Sequence, residues 1–246
     1  MRGPGRRRTA GAVVLGLVLG SAGEADRALQ GQELSRRPSA DHVKAVDFLD
    51  RHPELASRVR ELGLEPDFAL AIVFPELLRY SPLADIVQVG YLQTLYVSLG
   101  RRYGHVSVGR FQMKPAFAET LEADFNRRLG RAERERIAGG AFDLADTAEN
   151  RLARVRRLVR LDGQVTYLAI FVRVMETLHP RLPWPGVEEK LRIFATAYNS
   201  GYRQGLERLR ELSSVPRYRL GDGEAGPNAS YADLAVDYYR RASARR

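Results

Sequence analysis

The chain contains no cysteine. That excludes a disulfide framework, thiolate metal sites, a cysteine nucleophile and the lipid-bearing cysteine of a lipoprotein. Histidine is scarce too. His42, His52, His105 and His179 lie far apart and show no metal-ligand spacing. Lysine is limited to Lys44, Lys114 and Lys190, so nearly all the positive charge is arginine. The arginines sit singly or in short groups and alternate with acids, the pattern of solvated helix faces. No nucleic-acid motif accompanies them. The expectation is a protein without metal, cofactor or nucleic-acid partner.

What is present is length and basic charge. The 246 residues fit one domain with a good-sized core plus an extension. The net charge of +9 suits an anionic polymer or an anionic surface. Residues 1–25 read as a secretory signal. Arg2, Arg6, Arg7 and Arg8 form a basic start, Ala10 to Gly20 is a short apolar run, and small residues follow. Eleven apolar residues are too few to span a bilayer comfortably. Cleavage is expected after Ala22, Gly23 or Ala25, with an uncleaved anchor as the alternative. The expected organisation is then a signal peptide over 1–25, a polar linker over 26–38 and one domain over 39–246.

The domain reads as all-α, with about eight helices and little or no strand. Ser39 is placed to cap a first helix with a stripe of Val43, Val46, Phe48 and Leu49. Pro53 opens a second, carrying Leu55, Val59 and Leu62, and Gly63 ends it. Pro66 opens a third. Pro82 to Leu99 predicts a helix with Leu83, Ile86, Val87, Leu92, Leu95 and Tyr96 as its apolar positions. His105 to Lys114 does not read as helix, because of its β-branched residues and Gly109. Helices are expected again over Pro115 to Leu129, Asp143 to Leu161 and Gln164 to Leu178, with Asp162-Gly163 as a break. In the Asp143 helix, Leu152, Val155, Leu158 and Val159 form the apolar face. The three prolines of His179 to Gly186 make a loop. Val187 to Tyr198 predicts a helix, Ser213 to Ser230 a loop, and Ser230 a cap for a last helix.

One stretch organises the rest. Phe68 to Phe74 is apolar without a break, and Glu76 follows as the only acid between Asp67 and Asp85. A helix apolar all round is buried. A carboxylate at the end of such a helix is costly unless it is paired, protonated or used. The first reading is a general acid. The competing one is a structural acid, paired with Arg79 or stabilised at a helix start made by Pro75. Two further segments mix an apolar body with polar tips, as cleft linings do. They are Gly109-Arg110-Phe111-Gln112-Met113 with Pro115, and Ala197-Tyr198-Asn199-Ser200-Gly201.

Together the three segments resemble those of the lysozyme-like soluble lytic transglycosylases of bacteria. That family has a helix running through Ala-Ile to a catalytic Glu-Ser, and Pro66, Ala71-Ile72 and Glu76 keep the spacing. Its Gly-Leu-Met-Gln-x-x-Pro-x-Thr-Ala motif is met by Gly109, Gln112, Pro115 and Ala118. Its Ala-Tyr-Asn-x-Gly motif is matched by Ala197, Tyr198, Asn199 and Gly201. Leu77 replaces the family's serine, Pro75 precedes the acid, and Arg110-Phe111 replace Leu-Met, which marks a divergent branch.

The resemblance implies a lysozyme-like domain, exported to the periplasm, that cleaves peptidoglycan glycan strands. Glu76 would be the single catalytic acid. Gly109, Gln112, Met113, Tyr198 and Asn199 would bind substrate. Asp85 is a possible second carboxylate that no pattern marks. The products would carry 1,6-anhydro-muramoyl ends. The alternatives are a hydrolytic muramidase and an inactive glycan-binding protein of the envelope. Burial of the Glu76 helix predicts a pKa raised toward the range of about 6–7.

Overall fold

A computed structural model of the chain describes residues 39–180, 183–219 and 228–245. The expected signal peptide and linker lie outside the described residues. Eleven helices and one pair of two-residue strands make up the regular structure among these residues. The protein is all-α, with more and shorter helices than the periodicity predicts.

The first three helices start where their caps say they should. Ser39 accepts a hydrogen bond from the His42 backbone N–H at 3.2 Å and opens α1, Ala40–Asp50. Its stripe is shifted from the expected one: Ala45, Phe48 and Leu49 are buried, while Val43 faces solvent. Pro53 opens α2, Pro53–Glu61, which buries Leu55 and Val59. Gly63 turns the chain away at φ +76°. Glu65 then caps α3, Pro66–Arg79, by accepting from the Asp67 N–H at 3.1 Å. Helix α3 runs unbroken through Pro75, so Glu76 lies inside a helix rather than at the start of one.

Helix α3 is the axis of the core. Every residue from Phe68 to Pro75 is buried. It packs against α1, α2, α8 (Leu161–Leu178), α9 (Val187–Ser200) and α11 (Tyr231–Ser243). A second group forms around α8, which also meets α5 (Pro115–Arg128), α6 (Arg131–Ala138) and α7 (Ala148–Val159). Periodicity does not announce α6 or α10 (Leu206–Ser213), because each of these eight-residue helices buries a single side chain. The strands Tyr218–Arg219 and Asn228–Ala229 pair antiparallel inside the expected Ser213 to Ser230 loop. Ser230 then caps α11 in a reciprocal capping box with Asp233.

The reading of the arginines as solvated faces fails in the second group. Arg151 and Arg154, both on α7, are buried. Arg154 donates through Nε to the buried Glu122 at 3.0 Å and reaches the Tyr96 hydroxyl. Tyr167 donates to the same carboxylate. A carboxylate in the core is tolerated because each lone pair finds a donor. The helix expected from Asp143 begins only at Ala148, capped by Thr147, and Val159 is exposed. The chain turns at Arg160, and Asp162-Gly163 form the first turn of α8 instead of a break. A Cβ on Gly163 would stand 2.1 Å from the Arg157 carbonyl oxygen, so glycine lets α8 begin against the end of α7.

The helix expected over Pro82 to Leu99 is there, but facing otherwise than predicted. Helix α4, Pro82–Tyr91, continues through a π-turn at Leu92–Tyr96 and a last turn at Val97–Leu99. Leu92 and Tyr96 are buried; Leu83, Ile86 and Val87 are 74, 70 and 67% exposed. Helix α4 itself buries no residue.

Candidate active site

Three helices and one hairpin bring the sequence-predicted residues into one neighbourhood. Glu76 projects from the last turns of α3 and keeps part of its surface open. Apolar mass on most sides pushes its pKa from 4.5 up to about 6. The positive charge of Arg79 opposes this, followed by the nearby Tyr231 hydroxyl and the charge of Lys114. No cation among the described residues stands within 4.0 Å of its carboxylate. Arg79 instead lays its guanidinium over the Tyr218 ring, 5.1 Å from the centroid. The ion-pair reading of Glu76 therefore lacks its partner.

Gly109 to Met113 forms a tight hairpin. Val108 and Met113 exchange backbone hydrogen bonds of 3.0 and 3.1 Å, and the Gln112 N–H donates to the Gly109 carbonyl at 3.0 Å. Gly109 stands at φ +74°, and a Cβ there would fall 2.2 Å from Gln164 Nε2 and 2.6 Å from the Leu158 carbonyl oxygen. Only glycine fits. Gln112 stands at φ +49°, the one non-glycine residue with positive φ among those described. Its Nε2 donates back to the Gly109 carbonyl at 2.8 Å. Backbone strain at a polar residue in a cleft-like loop points to function.

Asp85 on α4 accepts from the Gly109 N–H at 2.7 Å and from the Tyr80 hydroxyl at 3.1 Å. One oxygen thus holds the hairpin and the other holds Tyr80. Gln164 accepts from the Phe111 N–H at 2.7 Å from below. Met113 is 1% exposed and belongs to the core, as does Phe111. Met113 therefore fills space under the hairpin and has no surface to offer a ligand.

Tyr198 on α9 locks the hairpin to the acid's neighbourhood. Its hydroxyl donates to the Phe111 carbonyl at 2.7 Å. Burial first, and then the Glu76 charge, push its pKa well above the usual tyrosine value. Asn199 lies within the last turn of α9 rather than beyond it, and its Oδ1 accepts from the Tyr218 hydroxyl at 2.9 Å.

Two members of the site escape the motif reading. Tyr231, first residue of α11, donates its hydroxyl proton to the Ile72 carbonyl at 3.0 Å, one turn before Glu76 on α3. Its pKa is raised by burial, then by the charges of Glu76, Tyr198 and Tyr218. Tyr218 meets Tyr231 edge-on, with centroids 5.7 Å apart. The only advance signal for either is the Ser230 cap, which fixes where α11 starts and so which residue enters the core first.

The neighbourhood thus holds one carboxyl poised to be protonated in mildly acidic solution, three phenols whose protons are hard to remove, and a strained hairpin. That set can deliver a proton to a leaving oxygen and take one back. Among the described residues, no cluster of His, Asp or Glu is arranged to hold a metal ion. Comparisons with the known protein families, with curated proteins and with solved structures give no match to this chain.

Proposed function

We propose that the protein is an exported lytic transglycosylase. It cleaves the bond between N-acetylmuramoyl and N-acetylglucosaminyl sugars in peptidoglycan. The observation that carries the reading is Glu76, a single acid with its pKa raised to about 6 and no cation paired to it. The three motif segments that suggested the family converge around it.

In this reaction protonated Glu76 gives its proton to the departing glycosidic oxygen as the C1–O bond breaks. The resulting carboxylate takes the proton of the muramoyl C6 hydroxyl, whose oxygen closes on C1 as the 1,6-anhydro ring. Glu76 ends the cycle protonated. The proton transfers need neither metal nor cofactor. Asp85 takes no part, because both its oxygens hold the hairpin and Tyr80. Gln112 and Asn199 offer amide groups to the sugar hydroxyls and N-acetyl groups. The basic surface draws the anionic polymer.

Digesting purified peptidoglycan and weighing the products tests the reading. Anhydro ends establish the transglycosylase. Reducing ends make the enzyme a hydrolytic muramidase, with water in place of the C6 hydroxyl. With no products from the wild type, the protein is a glycan-binding component. Glu76→Gln keeps the shape and lacks the transferable proton, so it is expected to release no muropeptides while still binding glycan. Release at a rate near that of the wild type would remove Glu76 from the mechanism.

A further inference from the structure

Helix α4 presents an apolar face that nothing among the described residues covers. Leu83, Ile86 and Val87 are each about 70% exposed, and Tyr91 follows at 37%. Gly90, on the same side, has no atom within 4 Å of where a Cβ would sit. At 100° per residue these positions share one side of the helix. Asp85 lies opposite, tied to the Gly109 N–H and the Tyr80 hydroxyl. The apolar face is therefore turned away from the candidate active site, so it is not a wall of that cleft.

The face is also free of charge. The exposed residues from Pro82 to Thr94 are Pro82, Leu83, Ala84, Ile86, Val87, Gly90, Tyr91, Gln93 and Thr94. In a chain with 28% charged residues, an uncharged surface helix is a departure that calls for an occupant. The charges beyond its two ends are positive. Arg79 precedes it, and Arg101 and Arg102 follow, all exposed. Arg101 is paired with Glu119 and Asp146. Arg79 is turned to Tyr218 in the candidate site. Arg102 lies over the Tyr103 ring, which meets Tyr91 at 6.4 Å between centroids, and no acid among the described residues stands within 4.0 Å of Arg102.

We propose that α4 docks the protein on an anionic lipid bilayer, its apolar face entering the boundary between headgroups and acyl chains. The charge pattern selects this occupant over a second copy of the chain. A second copy of α4 offers Arg102 no exposed acid to pair with, because Asp85, the one acid in the helix, faces inward. Anionic headgroups complement Arg102. Leu83, Ile86 and Val87 supply the apolar face, and Tyr91 sits at its edge, where an amphipathic ring suits the interface.

The absence of cysteine makes the test position-specific. The full chain carrying Val87→Cys is labelled with an environment-sensitive nitrobenzoxadiazole group, and Ser57→Cys, exposed on α2, serves as the control. Vesicles of phosphatidylglycerol with phosphatidylcholine are compared with phosphatidylcholine alone. The expected result is a several-fold rise and a blue shift of emission at position 87 with the anionic vesicles only, and no change at 57. Leu83→Ser combined with Ile86→Ser should abolish it in a Val87→Cys background. A rise at 87 without vesicles that grows with protein concentration would assign the face to a second copy and overturn the proposal. Equal rises at both positions, or none at 87, would overturn it too.

Discussion

At the scale of single residues, Glu76 makes a pH-dependent statement in both activity and stability. Its pKa lies at about 6 in the folded chain against 4.5 ordinarily, so the fold prefers the protonated form. The Glu76 contribution to folding stability is therefore fullest below pH 4.5. It falls as pH rises from 4.5 through about 6 and stays reduced above. The reduction at neutral pH is about 2 kcal/mol. Glu76→Gln should then be more stable than wild type by about that amount at pH 7 and no more stable at pH 4, read from urea unfolding at each pH. Glycan cleavage should decline as pH rises through about 6, where the acid loses its proton. The Tyr231 hydroxyl beside it pulls this pKa downward. Tyr231→Phe should move the decline to higher pH, and should cost about 1–2 kcal/mol through the buried Ile72 carbonyl left without that donor. Gln112 separates strain from function. Gln112→Gly relieves the positive φ and loses one hydrogen bond, so stability should change by less than about 1 kcal/mol. Cleavage should still fall if the amide holds the sugar, as steady-state rates on purified glycan would reveal.

Among the elements, the Gly109–Met113 hairpin depends most on one atom. Gly109→Ala forces a Cβ to 2.2 Å from Gln164 Nε2 at a φ of +74°. A loss of about 3 kcal/mol or more is expected from overpacking and backbone strain together, measured by chemical denaturation. The glycine was legible in the sequence as a break in helical pattern. Its purpose was not, because Gln164 and Leu158 come from distant helices. The same limit explains α4. Spacing identifies a helix over Pro82 to Leu99, since Leu83, Ile86, Val87, Leu92, Leu95 and Tyr96 recur at the right period. Periodicity cannot say which neighbours cover a stripe, and here Leu92 and Tyr96 went inward while the first three stayed out. Helix α3 was readable because an unbroken apolar run has no outward side to confuse. Tyr231 was not, since it meets Ile72 from 159 residues away.

For the whole molecule, composition predicted a helical, basic domain and mistook the role of part of its charge. Arginine patterns resemble solvated faces whether or not an acid waits across the interface. Only the packed chain sets Arg154 against Glu122. Glu122→Gln leaves Arg154 and Arg157 short of their counter-charge, and a destabilisation of about 3–5 kcal/mol is expected by urea unfolding. No helix among the described residues is long and apolar enough to cross a membrane.

The phenols packed around Glu76 and through the core carry one more consequence, an optical one. Tyr96, Tyr167, Tyr198, Tyr202, Tyr231 and Tyr238 all hold their protons beyond the usual range, with burial as the leading cause in each. A buried phenol cannot ionise gradually while the core stays shut. In alkali, the ultraviolet absorbance of their phenolates should therefore rise in one step, at the pH where the helical circular dichroism collapses. On rapid return to neutral pH, the same absorbance should vanish at once, before the helices re-form. The protein thus has a built-in dye that records when its interior first meets water.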